Sequence, residues 1–210
     1  MKTIFINASP RKNWNTGELL KEAMRGAQSI GEETEYIELY DSLFTGCRSC
    51  LACKRKDAVE ACKCYWKDDL SLILEKAYQA DRLMIGSPIY FSEPTAQLRA
   101  LMERLIFPAL SYNDYSSTFS GKVDVDIFLT MNAGEGFYKE AYEKRMQEYF
   151  APMHFLNGTV RIFPVTDTLQ VADYAQYHMA GFSAAHKAEV HEKVFPMDLA
   201  RAYQVGARKE

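Results

Sequence analysis

The chain has 210 residues, 48% hydrophobic and 25% charged, with a formal net charge of −3 and a pI near 5.9. That size suits a single domain spanning 1–210, and that charge argues against a nucleic-acid or membrane-surface partner. No signal-peptide pattern and no membrane-length apolar run occurs, and all five cysteines fall between Cys47 and Cys64, so a cytoplasmic protein whose cysteines are either local ligands or loose thiols is expected rather than a disulfide scaffold.

Ile4, Phe5 and Ile6 form an apolar run too short for a helix and read as a buried strand. Leu19, Leu20, Ala23, Met24 and Ala27 then fall at helical spacing. Asn15 is the expected N-cap of that helix, with Glu18 as its capping-box partner and Gly31 as the residue just past its end. The loop between carries Ser9, Arg11, Asn13, Asn15 and Thr16. Hydroxyls, a guanidinium and the free N–H groups of a helix start make an anion site, and phosphate is the obvious anion. The chain has no Gly-x-x-x-x-Gly-Lys-[Ser/Thr], so this is not a nucleoside-triphosphate loop. The loop also lacks the cysteine nucleophile of a phosphatase.

Thr34 to Tyr40 alternates and reads as a second strand. The cysteine loop 47–64 follows, and Asp68-Asp69 starts a helix whose buried stripe is Leu70, Ile73, Leu74 and Ala77. Leu83 to Gly86 reads as a strand buried on both faces. Ser87 to Glu93 is expected to be a loop, Pro94 the first turn of a helix, and Pro108 that helix's end. Leu98, Leu101, Met102, Leu105 and Ile106 give this helix a wide apolar face. A polar connection covers 109–120, and strands are expected at Val123–Met131 and Val160–Val165. Helices are expected at Tyr138–Phe150 and Phe195–Gly206; the stretch 166–185 carries no decisive pattern.

Strands alternating with helices predict an α/β doubly wound, five-stranded parallel sheet with helices on both faces. The cysteine loop and residues 166–210 would be embellishments. In such a sheet ligands bind beyond the carboxyl ends of the strands, where loops 7–16, 87–93 and 131–136 converge. Pro88, Ile89, Tyr90 and Phe91 supply either a hydrophobic plug over the sheet edge or a wall for a planar ring. Asn132, Gly134 and Gly136 let backbone approach a ligand closely. A phosphate beside a flat heterocycle describes flavin mononucleotide (FMN).

Two separated segments, Asn7-Ala-Ser-Pro-Arg11 with Asn15-Thr16, and Gly86-Ser-Pro-Ile-Tyr-Phe91 followed by Gln97 to Arg104, resemble the flavodoxin-like NAD(P)H-dependent FMN reductases. Ala8 stands where that family usually has Gly, and the likeness runs over roughly 2–135. The resemblance implies that Ser9, Arg11, Asn15 and Thr16 hold the FMN phosphate. It places Pro88, Ile89, Tyr90 and Phe91 along the flavin ring, with Asn132 nearby. It implies hydride transfer from NAD(P)H as co-substrate to FMN, then onward to a small-molecule electron acceptor, with no side-chain acid or base assigned. A homodimer is also implied. His154, His178, His186 and His191 lie outside the matching region and are expected to fill surface or packing roles.

Cys47-x-x-Cys50-x-x-Cys53 has ligand spacing for a soft metal or cluster. It resembles the iron–sulfur flavoprotein branch of the same family, in which four cysteines hold a [4Fe–4S] cluster beside FMN. By that likeness Cys64, four residues before Asp68-Asp69, is the fourth ligand and Cys62 is spare. The ten residues between Cys53 and Cys64 exceed the compact motif, however, and favour a reduced, metal-free loop. The alternative to an enzyme is a non-catalytic electron-transfer flavoprotein, with or without a cluster, that serves protein partners.

Overall fold

Short apolar runs buried on both faces pair side by side. In the computed structural model, which describes residues 1–58 and 60–208, β1 (Lys2–Asn7) lies between β2 (Glu33–Glu38) and β3 (Arg82–Tyr90). Strands β5 (Val123–Thr130) and β6 (Asn157–Val165) extend the sheet to the order β2-β1-β3-β5-β6, and every neighbouring pair in it is parallel. One row of the register runs Ile37, Ile6, Ile85, Ile127, Ile162. The order reverses between β1 and β3, the switch point at which flavodoxin-like sheets place their ligands. The two-residue β4 (Glu93–Pro94) folds back antiparallel on the end of β3.

Side-chain alternation divides the core. Ile4, Ile6, Leu83, Ile85, Val125 and Ile127 face α2 (Leu70–Gln79) and α3 (Ala96–Ala109). Phe5, Met84 and Phe128 face α1 (Asn15–Ser29) and α7 (Phe195–Gly206). Each such side chain contributes about 1.5–3 kcal/mol by leaving water. Helices α1 and α7 cross at glycines: a Cβ on Gly206 would lie 1.8 Å from the Ala23 carbonyl oxygen, and one on Gly26 2.1 Å from that of Tyr203. At the amino end of β3, buried Arg82 donates to Glu32 (2.9 Å) and to the carbonyls of Val205 and Gly206, tying the end of α7 to the sheet. Helix α1 ends as the sequence predicts, with Gly31 at φ +83.

Four local expectations change. Residues 87–90 continue β3 instead of forming a loop, because the β-forming Ile89 and Tyr90 pair with Pro94 and Glu93. The intervening turn is Phe91-Ser92, both left-handed at φ 49 and 68. Pro94 therefore belongs to β4, and Thr95 caps α3, its hydroxyl accepting from the Leu98 amide. Pro108 sits within the last turn of α3 rather than ending it. Asn15 lies inside α1, which has Trp14 at its cap position and no side-chain cap bond. The run after β5 is α4 (Glu135–Phe137), a π-helical turn (Tyr138–Tyr142) and α5 (Glu143–Phe150). Residues 166–185 contain a 3₁₀ turn at Tyr174–Gln176, followed by α6 (Ala184–Lys193). Among the described residues no helix is long and apolar enough to cross a membrane.

Candidate functional site

The carboxyl end of β1 delivers the chain into the first loop under tight local constraint. Asn7 accepts from the Ser9 amide (3.1 Å) and the Ser9 hydroxyl accepts from the Arg11 amide (3.2 Å). Gly17 allows the loop to fold back on the first turn of α1, since a Cβ there would meet the Lys12 carbonyl oxygen at 2.0 Å. The same packing needs Gly86, whose Cβ would strike Thr16 Cγ2 at 2.7 Å and Leu20 Cδ1 at 2.8 Å. Ser9, Asn15 and Thr16 are buried, while Arg11 is exposed. The first-turn N–H groups of α1 point toward the loop, with the positive end of the helix dipole behind them.

A cleft of about 100 Å³ opens beyond the strand ends and is lined by Ser9, Arg11, Asn15, Thr16, Pro88, Ile89, Tyr90 and Asn132. Of the sequence-predicted site residues these eight meet there, whereas Asn13, Gly134 and Gly136 do not line the cleft and Phe91 projects fully exposed from the tip of the β3–β4 hairpin. Hairpin geometry explains the last of these: the turn aims Phe91 away from the sheet while Tyr90 stays on the strand. Thr130, Met131, Trp14 and the segment Thr168-Leu169-Gln170 also line the cleft. Trp14 lay within the loop already singled out, and Thr130 and Met131 at a strand's carboxyl end. Residues 168–170 offered no local pattern.

That segment engages the loop's donors directly. Arg11 donates to the Gln170 carbonyl (2.6 Å), and Trp14 Nε1 (3.1 Å) and Asn15 Nδ2 (2.8 Å) to that of Leu169. Arg11, Trp14 and Asn15 thus aim their N–H groups at one cluster of acceptor oxygens. Asn132 Nδ2 donates to Gln170 Oε1 (2.6 Å), while Asn132 Oδ1 is buried without a partner. Beneath them Thr16 and Thr130 share a hydroxyl bond of 2.8 Å. The segment is held from behind by Asp167, which accepts from His186 (2.6 Å) and from buried Lys187. Burial raises the Asp167 carboxyl, but hydrogen bonds from Lys187 and His186 outweigh it and hold the group below its ordinary value. Glu38 moves the other way: burial raises it, against a hydrogen bond from Asn7.

The cysteine loop forms a second centre. Cys47, Cys50, Cys53 and Cys64 line one apolar cavity of about 20 Å³ with Trp66, Arg104 and Phe107. Cys62 points elsewhere, 3.5 Å from the Thr118 hydroxyl. The Ser49 amide donates to Cys47 Sγ (3.5 Å), and Arg104 Nε to Cys64 Sγ (3.3 Å). Burial pushes the Cys53 thiol up. Among the described residues no three His, Cys, Asp or Glu side chains are placed to hold one metal ion. A four-iron cluster asks for a different arrangement, four thiolates spread around a larger body and wrapped in N–H donors. The four thiols at one cavity fit that donor chemistry.

Comparison with known proteins gives the family and the fold. The family model described as NADPH-dependent FMN reductase matches residues 1–156. An iron–sulfur flavoprotein of Methanocaldococcus jannaschii is 42% identical over 104 residues, 50% of this chain and 51% of that protein. An iron–sulfur flavoprotein of Archaeoglobus fulgidus is 38% identical over 104 residues, 50% of this chain and 48% of its own. The chain spans about half the length of these curated relatives. Among solved structures, an NAD(P)H:quinone oxidoreductase from Methanothermobacter marburgensis superposes with a TM-score of 0.75 at 16% identity, covering 100% of this chain and 99% of that one. An FMN-dependent NADH-azoreductase from Bacillus anthracis, solved with FMN, gives a TM-score of 0.64 at 14% identity, covering 98% and 99%. At those identities the likeness is one of fold.

Proposed function

Because the chain belongs to the NADPH-dependent FMN reductase family, we propose that it is an FMN-dependent NAD(P)H oxidoreductase that passes electrons through bound flavin to a small acceptor, a flavin or quinone. One observation carries this reading. A single cleft at the β1–β3 switch point sets convergent N–H donors and a helix start at one end against Pro88, Ile89 and Tyr90 at the other. The unpartnered Oδ1 of Asn132, a cleft-lining residue, is a buried acceptor that a donating ligand would satisfy.

In this reading Ser9, Arg11, Asn15 and Thr16 hold the phosphate and Pro88, Ile89 and Tyr90 support the ring. The Leu169 and Gln170 carbonyls occupy the positions that phosphate oxygens would take. A cleft of about 100 Å³ is smaller than such a ligand needs, so residues 168–170 withdraw when FMN enters. Bound flavin supplies the hydride and electron chemistry, and the chain's task is to orient it and exclude water. No side chain is assigned as acid or base. The reading includes a cytoplasmic homodimer and a single unit over 1–210. Anaerobic addition of NADPH or NADH to the FMN-loaded protein tests it. Rapid bleaching of the oxidised flavin band is expected; a band that only a protein reductant can bleach would overturn it.

The convergence of Cys47, Cys50, Cys53 and Cys64 on one apolar cavity favours a second reading. Like the relatives named iron–sulfur flavoproteins, the chain would then carry a [4Fe–4S] cluster and exchange electrons with a protein partner. Anaerobic reconstitution with iron and sulfide should give a brown protein that loses its colour on Cys64→Ser and keeps it on Cys62→Ser. A protein that takes up no iron would sink this second reading and leave the first standing.

A further inference from the structure

Arg104 is among the largest fully buried side chains of the molecule, 1% exposed, on the face of α3 turned toward the cysteine loop. Every hydrogen bond given for its guanidinium ends on the segment 45–68. Nη1 donates to the Thr45 carbonyl (3.2 Å) and Asp68 Oδ2 (2.5 Å), Nη2 to the Trp66 carbonyl (2.8 Å), and Nε to Cys64 Sγ (3.3 Å). A core ion pair needs only Asp68. Spending the Nε–H on a sulfur and the rest on carbonyls either side of the cysteines fixes the loop's two ends to one rigid fork. The other basic residue at the cavity, Arg48, lies over the Trp66 ring (4.1 Å) and donates its Nε–H to the Thr45 hydroxyl (3.3 Å).

We propose that Arg104 is a positioning residue for the redox group of the cysteine cavity: it orients Cys64 as a ligand and, as a buried cation donating to that sulfur, raises the group's reduction potential. The inference rests on the cluster reading. Reduction adds negative charge to the group, and a fixed N–H donor on a guanidinium, even with its charge partly offset by Asp68, stabilises the reduced form more than the oxidised one. The same contact selects Cys64 over Cys62, whose sulfur lies against the Thr118 hydroxyl instead.

The test is a redox titration, followed by electron paramagnetic resonance, of the FMN-loaded protein after anaerobic reconstitution with iron and sulfide. Wild type is compared with Arg104→Lys, Arg104→Gln and Arg48→Lys, and retained FMN absorbance reports folding. Arg104→Gln should favour the oxidised cluster by about tenfold, a downward shift near 59 mV for a one-electron couple. Arg104→Lys should restore part of that shift with an altered spectrum, and Arg48→Lys should leave both unchanged. An unchanged potential and spectrum in both Arg104 variants overturns the proposal while the cluster stands. A wild-type protein that takes up no iron overturns the cluster reading itself. Should neither Arg104 variant fold, Arg48→Lys protein grown with ¹⁵N-arginine decides: a nitrogen coupling to the reduced cluster supports the contact, and no coupling overturns it.

Discussion

Arg11 is the residue on which the phosphate reading is most exposed to failure. It lies at the surface, its guanidinium directed at a carbonyl oxygen and stacked near Trp14 (5.2 Å). A charge-assisted contact of this kind is worth about 1.5–3 kcal/mol, so Arg11→Ala should weaken FMN binding about tenfold or more in a flavin-fluorescence titration. Unchanged affinity would remove Arg11 from the site. Asp167 makes a separate prediction. Its carboxyl is held below the ordinary 3.8 by Lys187 and His186 against the opposing effect of burial. A depressed folded value means that its stabilising contribution is complete above the unfolded value and disappears as pH falls through the folded one. The stability gap between wild type and Asp167→Asn should therefore be level above about pH 5 and shrink toward pH 3. A gap that widens on acidification would contradict the assignment.

The β3–β4 hairpin shows what an element can override. Its turn puts Phe91 and Ser92 in left-handed backbone, a conformation that costs non-glycine residues roughly 1–2 kcal/mol. Ser92→Gly should raise stability by about 1 kcal/mol in urea unfolding; no gain would mean that the turn is not left-handed in solution. The α1–α7 crossing makes the converse case. Gly206→Ala should cost about 1–3 kcal/mol, because the added methyl meets the backbone of Ala23 rather than a side chain that can move. These elements also mark where sequence reading stops. The apolar runs of β1, β3 and β5 and the stripe of α2 are local patterns, and their places in the sheet follow from period and length. The turn at Phe91-Ser92 carries none of the Gly or Asn that usually announces such geometry, so residues 87–93 read as loop. Pro108 reads as a helix end because sequence does not reveal that α3 tolerates it in its last turn.

At the scale of the molecule, the parallel order β2-β1-β3-β5-β6 brings four segments of distant sequence, within 9–16, 88–90, 130–132 and 168–170, to one crevice. Ser9, Arg11, Asn15, Thr16, Pro88, Ile89, Tyr90 and Asn132 could be grouped from sequence because each lies at or just beyond a strand's carboxyl end or in the helix start that follows it. Leu169 and Gln170 could not, since their place depends on long-range packing through Asp167 and Lys187, a relation that leaves no local period. The cysteine cavity divides the same way: spacing proposed Cys47, Cys50 and Cys53, the family resemblance chose Cys64 over Cys62, and the fold sets Cys64 beside the other three. The central claim is that FMN occupies the β1–β3 cleft by displacing residues 168–170. Amide chemical shifts of the ¹⁵N-labelled protein, followed through an FMN titration, test it most directly. Saturation at one FMN per chain is predicted, with the largest shifts at Ser9, Arg11, Asn15, Thr16, Leu169 and Gln170. Shifts that leave those residues untouched, or no saturable binding, would contradict it.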